Sequence, residues 1–269
     1  MNTAIFRYEL RQRWTSVAIW VGSLASLVLM FMALFPSFSA DIGAMEQVLK
    51  DFPPELRAVF GLNSLDLGVL EGYFGFCIIF CQLCLAIQAA NYGLSLVSVE
   101  ETDLTADFLL TKPLSRPTIL SSKLLAALTG LLVTDVLFWA ISLASIAIFK
   151  GNAQYEPRAI ALLLGSVVVF QLLFFSLGLL ISLLAKKIRS VTPWSLGLAF
   201  GTYVISAFSG IQEDVKLEYL SPFKHFDPGQ IIKDLHYDTR LVILDVVIIA
   251  VAIVVSYWLY QKRDIASPS

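Results

Sequence analysis

Six long apolar stretches alternate with shorter polar segments along the chain. A helix that crosses a bilayer needs about 20 mostly apolar residues. Because lipid offers the backbone no hydrogen-bond partner, such a stretch must be helical, and none of the six alternates in polarity as a barrel strand does. The pattern predicts an all-α integral membrane protein in which 1–269 form a single transmembrane domain. Its spans are expected at about 15–35, 72–98, 124–149, 159–185, 191–209 and 241–260.

Composition supports a membrane protein and argues against a soluble enzyme. Hydrophobic residues make up 57% of the chain and charged residues 15%, whereas soluble domains carry about 25% charged residues. Only Asp135 and Asp245 place a formal charge inside a predicted span. The first stretch is too long for the core of a signal peptide, so we expect a retained span. The chain has no basic patch that would indicate a nucleic-acid partner.

The distribution of lysine and arginine predicts the orientation. An even number of spans places both termini on one side of the membrane, and that side carries eleven of the 19 basic residues, in short segments. Because basic residues favour the cytoplasmic side, both termini are predicted to be cytoplasmic. The tight turn 186–189 has the densest positive charge.

Polar segments flanking the spans predict short interfacial helices. Residues 1–14 are typical of an amphipathic N-terminal elbow, or else of a simple charged flank. On the outer side, Ser221-Pro222 and Asp227-Pro228 have the cap-then-proline pattern of helix starts. His225 and His236 match no metal-ligand spacing and are expected to be solvated loop residues. Asp245 is expected to reach the outer interface.

The segment 99–123 carries acids first and bases later. This order favours a short helix near 103–111, since the helix dipole favours acids at its start and cations at its end. Pro113 would end it, and Ser115 with Pro117 would begin the next helix. Apolar side chains beside charges are more typical of a protein docking surface than of an ordinary interfacial loop.

The second span carries a polar stripe whose members recur at steps of three and four residues, which places them on one helix face. Helix packing and a translocation path both fit it. The three cysteines predict neither a disulfide framework nor a metal site. The stripe consists of Cys77, Cys81, Cys84, Gln88, Asn91 and Ser95.

Asp135 lies near the middle of the third span, where an ionised carboxylate is costly. We expect it to be neutral or hydrogen-bonded to Gln82, Gln88, Asn91 or Gln171. Small residues on two spans would allow close helix approach, either within the chain or between subunits. They are Gly197 and Gly201 on the fifth span and Ala126, Gly130 and Thr134 on the third.

Four segments resemble the permeases of bacterial ABC-2 type ABC transporters, and the resemblance covers most of the chain. They are FRYELRQRWTSVAIW at 6–20, PSFSADIGAMEQVLKDFP at 36–53, EETDLTADFLLTKPLSRPTILSSKLL at 100–125 and YLSPFKHFDP at 219–228. The resemblance implies the membrane-spanning subunit of an ATP-driven exporter in the bacterial plasma membrane. Two copies of a separate ATPase would supply ATP and Mg²⁺, and a second permease, identical or related, would complete the transporter.

The resemblance also implies roles for residues near the first cytoplasmic loop, which forms a coupling helix in that family. Arg7 and Arg11 would form ion pairs with Glu100 and Glu101. The chain has no G-x-x-x-x-G-K-[ST] phosphate-binding motif, so it is expected to be a non-catalytic subunit without a cofactor of its own. The residues expected to dock on the ATPase are Thr105, Asp107, Phe108, Leu109, Lys112 and Arg116.

Two other functions are compatible with a helical membrane protein. A secondary transporter or channel subunit would need no ATPase and would use Asp135 and the polar stripe. An intramembrane enzyme is disfavoured, because both histidines lie in one outer segment and no base at membrane depth could activate a nucleophile.

Overall fold

The computed structural model describes residues 2–40, 43, 51–53, 56–57, 60–62, 64–102, 114–185, 188–212 and 215–262, with side chains except at 99–102, 210–212 and 215–216. Six helices of this part are long and apolar enough to cross a membrane, and it contains no strand, which confirms the all-α prediction. They are α1 (Thr3–Ala40), α2 (Leu70–Thr102), α3 (Arg116–Phe149), α4 (Pro157–Leu184), α5 (Val191–Gln212) and α9 (Thr239–Lys262); α6 (Val215–Glu218), α7 (Pro222–His225) and α8 (Pro228–Asp234) are short.

Helix α1 is much longer than the span predicted at 15–35. Its 38 residues extend about 57 Å, whereas the hydrocarbon core is about 30 Å thick. Its one proline, Pro36, lies in the last two turns, so nothing before it breaks the helix. The segment 1–14, predicted to be an amphipathic elbow or a simple charged flank, is helical from Thr3 onward and continuous with the first span.

Local sequence signals determine where the other long helices begin. Ser115 is the N-cap of α3 and a proline follows it in the first turn, as predicted. At α4 the Glu156 side chain accepts a hydrogen bond from the Arg158 amide at 3.1 Å. Between these helices Gly151 has a φ of +55°, a conformation that glycine adopts without the steric cost of a side chain.

Helices α2 and α4 form the centre of the bundle and make its most extensive helix–helix contact. Buried residues make up 67% and 61% of their most apolar stretches, but only 11% in α5. The backbones approach closely at two glycines: a Cβ on Gly93 would collide with the Phe175 carbonyl, and one on Gly178 would lie 2.6 Å from the Ala90 carbonyl oxygen. Small residues therefore set this helix spacing.

Contacts between helix ends show which ends lie together. The Asn2 amide donates to Ser122 Oγ at 2.8 Å, and Arg116 Nη1 donates to the Gln261 carbonyl at 3.0 Å. These contacts define the termini end of the bundle, where α1 and α3 begin and α9 ends. At the far end, the Tyr73 hydroxyl donates to the Phe31 carbonyl at 3.0 Å.

Helices α7 and α8 form at the two predicted cap-then-proline sites. Asp227 caps α8 by accepting hydrogen bonds from the amides of Gly229 and Gln230 at 2.8 and 3.3 Å. Both short helices pack against the spans: α7 contacts α5 and α9, while α8 contacts α2 and α4. Phe223 of α7 is buried, with its ring 5.0 Å from that of Phe170.

The glycine packing predicts that a glycine-to-alanine substitution lowers stability at a close helix contact but not at an open position. Gly93→Ala should lower the free energy of unfolding by about 1–3 kcal/mol, because the new methyl group meets backbone that cannot rotate away. Gly22→Ala in α1 is the matched control: its added Cβ meets nothing within 4 Å, so stability should stay level or rise by up to about 1 kcal/mol. Denaturation in detergent measures both, and equal behaviour would contradict the packing account.

Candidate functional site

A buried lysine joins three helices at the termini end. Lys123 of α3 is 3% exposed, although the apolar stretch that follows it gave no sign of this burial. Its ammonium donates to the Leu96 carbonyl of α2 at 2.6 Å and lies 3.7 Å from Glu9 Oε1 of α1. The carboxylate and the carbonyl together offset the cost of removing the ammonium from water.

Glu9 and Arg13 extend this contact along α1. Glu9 Oε2 lies 3.6 Å from Arg13 Nη2, and the Arg13 guanidinium lies 5.0 Å from the centre of the Tyr92 ring. The Tyr92 hydroxyl donates to Ser16 Oγ at 3.1 Å. We call Glu9, Arg13, Tyr92 and Lys123 the polar clamp, because they hold α1, α2 and α3 together through two ion pairs, a charge-assisted hydrogen bond and a cation–π contact.

The polar clamp lies at the base of the predicted coupling segment, since α2 ends at Thr102 and α3 begins at Arg116. Within that segment, Arg116 is the docking candidate whose position is described, and its guanidinium contacts the last turn of α9. The predicted helix near 103–111 lies outside the described residues, as do Thr105, Asp107, Phe108, Leu109 and Lys112.

The predicted ion pairs between the N-terminal segment and the loop stay predictions. Arg7 and Arg11 are exposed, and the side chains of Glu100 and Glu101 lie outside the described set. Sequence reasoning singled out the N-terminal arginines but missed Glu9 and Lys123. The sequence did carry a signal: Glu9 is the one acid among the N-terminal arginines, and Lys123 directly precedes the predicted third span.

Glutamines connect the helices at membrane depth. Gln88 Nε2 of α2 donates to Thr134 Oγ1 of α3 at 2.9 Å, and Gln171 Nε2 of α4 lies 3.5 Å from Gln88 Oε1. Gln82 donates to the Phe226 carbonyl at 3.0 Å. Because lipid cannot satisfy an amide, these groups bond inside the protein.

Asp135 does not make the interhelical hydrogen bond expected of it. The side chain is 3% exposed, but its Oδ1 has no hydrogen-bond partner within the described residues. Of the four partners expected for it, Gln88 bonds the neighbouring Thr134 instead. Gln171 Oε1 is likewise buried and unpaired in this part of the chain.

The polar stripe of α2 faces mostly protein. Cys77 and Cys81 are buried with their sulfur atoms 4.0 Å apart, and Gln88 is also buried. Cys84, Asn91 and Ser95 are half-buried. Their surroundings fit helix packing, and the described residues contain no group of His, Cys, Asp and Glu that could hold a metal ion.

The glycines of α5 do not serve internal packing. A Cβ added to Gly197 or Gly201 would meet nothing within 4 Å. Trp194, Val204 and Phe208 are 48%, 47% and 59% exposed, and with the glycines they recur at steps of three and four residues. We call these five residues the α5 face. On α3, by contrast, Gly130 packs against Tyr92 and Val17.

His225 and Asp245 form a buried pair at the far end, which corrects two expectations. His225 was expected to be solvated but is 4% exposed, and Asp245 was expected to reach the interface but is fully buried. His225 Nδ1 lies 2.7 Å from Asp245 Oδ1. A separation of 20 residues hid this pairing in the sequence, because α7 must fold back against α9 to form it.

Comparison with known families identifies the class of protein. The chain matches the family described as ABC-2 family transporter protein over residues 3–265, whereas a search of curated proteins gave no match. The chain therefore belongs to the ABC-2 transporter family, as the sequence resemblance predicted. It is a multi-pass membrane protein and a permease subunit of an ABC transporter, a class of subunit that associates with an ABC ATPase.

Proposed function

We propose that this permease couples ATP hydrolysis in a separate ATPase to export across the bacterial plasma membrane. The observation that carries the proposal is the polar clamp, which binds α1 to the two helices that flank the segment 103–113. Because the clamp joins the three spans, a force applied to that segment would move α1, α2 and α3 together. Both termini would be cytoplasmic, on the side where the ATPase binds.

The proposed mechanism is rigid-body movement of packed helices. ATP binding would close two ATPase subunits, which hold ATP and Mg²⁺, and displace the coupling segment. The clamp would carry α1 along with α2 and α3, and the close packing at Gly93 and Gly178 would pass the motion to α4. This chain would be non-catalytic, in keeping with its lack of a phosphate-binding motif.

The proposed partner on the α5 face is a second permease subunit. Apolar rings flank two open glycines at coiled-coil spacing, which allows another helix to approach closely. Within the subunit, close helix packing occurs at Gly93 and Gly178 rather than at these two glycines. The second subunit, identical or related, would place the translocation path between the two copies, and lipid would cover the remaining apolar surface.

One observation favours the alternative of an ATPase-independent transporter. Asp135 is a buried acid with an unpaired oxygen, and such a residue inside a membrane often marks an ion or proton path. The clamp at the base of the coupling segment has no role in that alternative, so coupling to an ATPase is our main proposal.

The coupling proposal predicts which apolar side chains the ATPase needs. Phe108→Ala with Leu109→Ala should weaken binding of the purified ATPase to the permease in nanodiscs by about tenfold or more, because apolar anchors dominate such interfaces. The matched control, Tyr219→Ala with Leu220→Ala, alters an exposed pair before α7 and should bind as wild type. Unchanged binding by the first variant, or cargo transport by the permease alone in liposomes, would refute the proposal.

The pairing proposal predicts a change in oligomeric state. Gly197→Leu with Gly201→Leu should convert dimers to monomers in mass photometry of detergent-solubilised protein, because the side chains prevent close helix approach. Val254→Trp adds bulk to an exposed position of α9 and should leave dimers intact. Persistent dimers in the α5 variant, or their loss in the α9 variant, would show that the subunits meet elsewhere.

A further inference from the structure

The first turns of α1 carry two arginines that the polar clamp does not include. Arg7 and Arg11 are exposed, and neither forms an ion pair with another described residue. Glu9 is the one acid within residues 1–40, and it contacts Arg13 and Lys123. A step of two residues turns a helix by about 200°, so Glu9 faces α2 and α3 while the two arginines face outward. Their positive charges have no compensating acid on α1.

The face that carries these two arginines continues along α1 as an exposed, mostly apolar stripe. Its members recur at steps of three, four or seven residues, which keeps them on one side of the helix. A Cβ added to Gly22 would meet nothing within 4 Å, so no other helix of this chain covers the stripe there. We call the following residues the α1 stripe: Arg7, Arg11, Trp14, Ala18, Gly22 and Leu29.

Exposed tryptophans mark the headgroup level at the termini end. Trp14, Trp194 and Trp258 are 48%, 48% and 54% exposed. Trp194 lies in the first turn of α5, and Trp258 lies in the last two turns of α9. Tryptophan is enriched at the membrane–water interface, where its ring lies among the headgroups. Measured along α1, Arg11 then lies about 4.5 Å and Arg7 about 10.5 Å beyond Trp14, away from the bilayer centre.

The position and the charge of the two arginines match a lipid phosphate. The headgroup layer is about 5–7 Å thick on each side of the hydrocarbon core, so Arg11 lies within it and the long Arg7 side chain can reach back to it. Residues four apart on a helix have Cβ atoms about 6 Å apart. Two guanidinium groups at this spacing can therefore bind one phosphate together.

A second copy of this chain fits the α1 stripe less well. In a symmetric dimer the same patch of both subunits meets. Contact through the α1 stripe would bring the two arginines of each subunit into one interface, where like charges repel. An anion that carries its own apolar chains complements both parts of the stripe.

We propose that Arg7, Arg11 and Trp14 form a binding site for the headgroup of an anionic phospholipid, whose acyl chains lie along the α1 stripe. The phosphate compensates the two arginines, and the Trp14 ring lies beside it. The bound lipid holds the first turns of α1 at the membrane surface, where Glu9 belongs to the polar clamp. The site requires a membrane but no ATPase, so it does not depend on the coupling mechanism proposed above.

Native mass spectrometry with phosphatidylglycerol and phosphatidylcholine measures the preference for an anionic lipid. The wild type should retain phosphatidylglycerol about tenfold or more better than phosphatidylcholine, which has no net charge. Arg7→Gln with Arg11→Gln should remove most of this difference and leave phosphatidylcholine binding unchanged, because each arginine near the surface attracts anionic lipid. Both side chains are exposed, so the variant should keep the melting temperature of the wild type.

Lys233→Gln with Arg240→Gln is the matched control. It removes the same charge from exposed positions at the far end, where each base has an acid near it in the sequence, and should bind both lipids as the wild type does. Equal retention of the two lipids by the wild type would overturn the site. An unchanged preference in the α1 variant, or an equal loss in the control, would overturn it as well.

Fluorescence quenching locates the lipid. Once Trp194→Phe and Trp258→Phe remove the other exposed tryptophans, Trp14 remains. In vesicles, phosphatidylglycerol brominated near the top of its acyl chain should quench the emission more than brominated phosphatidylcholine at equal content. Adding Arg7→Gln and Arg11→Gln should abolish this excess. An excess that persists without the arginines, or after Trp14→Phe, would place the lipid elsewhere and overturn the proposal.

Two other partners of the arginines are outcomes of the same measurements. If Glu100 and Glu101 held both guanidinium groups, as the family resemblance implies, the wild type would show no preference for phosphatidylglycerol. Excess inorganic phosphate at matched ionic strength should not displace the lipid, because it has no acyl chains to contact the α1 stripe. Displacement by phosphate would show a site for free anions and overturn the assignment to lipid.

Discussion

The termini end of the bundle depends on the contacts that the buried Lys123 ammonium makes with α1 and α2. A charge that is 3% exposed must be compensated within the protein, and its partners come from two other helices: the Leu96 carbonyl of α2 and the Glu9 carboxylate of α1. Removing the Glu9 carboxylate would take an opposite charge away from this buried ammonium, which costs more than losing a surface ion pair. The first three spans are therefore held together next to the segment 103–113, for which we propose the coupling role.

At both ends of the bundle, buried charged or polar side chains from different helices pair with one another, but the residue types differ. At the termini end, lysine, arginine and glutamate unite α1, α2 and α3. At the far end, a histidine and an aspartate unite α7 and α9. Between the two ends, α2 and α4 pack closely at glycines. There Gln88 of α2 bonds Thr134 of α3 and contacts Gln171 of α4. The helices with the most exposed apolar surface are α1, α5 and α9. Of these, α5 carries the face that we propose for a second subunit.

The family was predicted from the resemblance of four segments, whereas hydrophobic pattern and helix-start signals were sufficient to predict the six spans and the starts of α3, α7 and α8. These are local properties of the chain, set by apolar length and by prolines after capping residues. The pairings of Lys123 with Glu9, and of His225 with Asp245, depend on which faces meet after folding. Glycine spacing was also ambiguous. Gly197 and Gly201 match the GxxxG motif, yet the close helix contact forms at Gly93 and Gly178. The sequence signal there was Ala89, a small residue four positions before Gly93.

The most direct test measures whether α1 moves with α3 during the ATP cycle. Spin labels at exposed Gln12 of α1, Leu137 of α3 and Phe200 of α5, in a background without the native cysteines, would report distances in the complex with its ATPase. The distance from α1 to α3 should stay constant between the nucleotide-free and ATP-trapped states, while the distance from α1 to α5 changes. In Lys123→Met the first distance should broaden or shift. A change in the distance between α1 and α3 in the protein that retains Lys123 would contradict rigid coupling through the polar clamp.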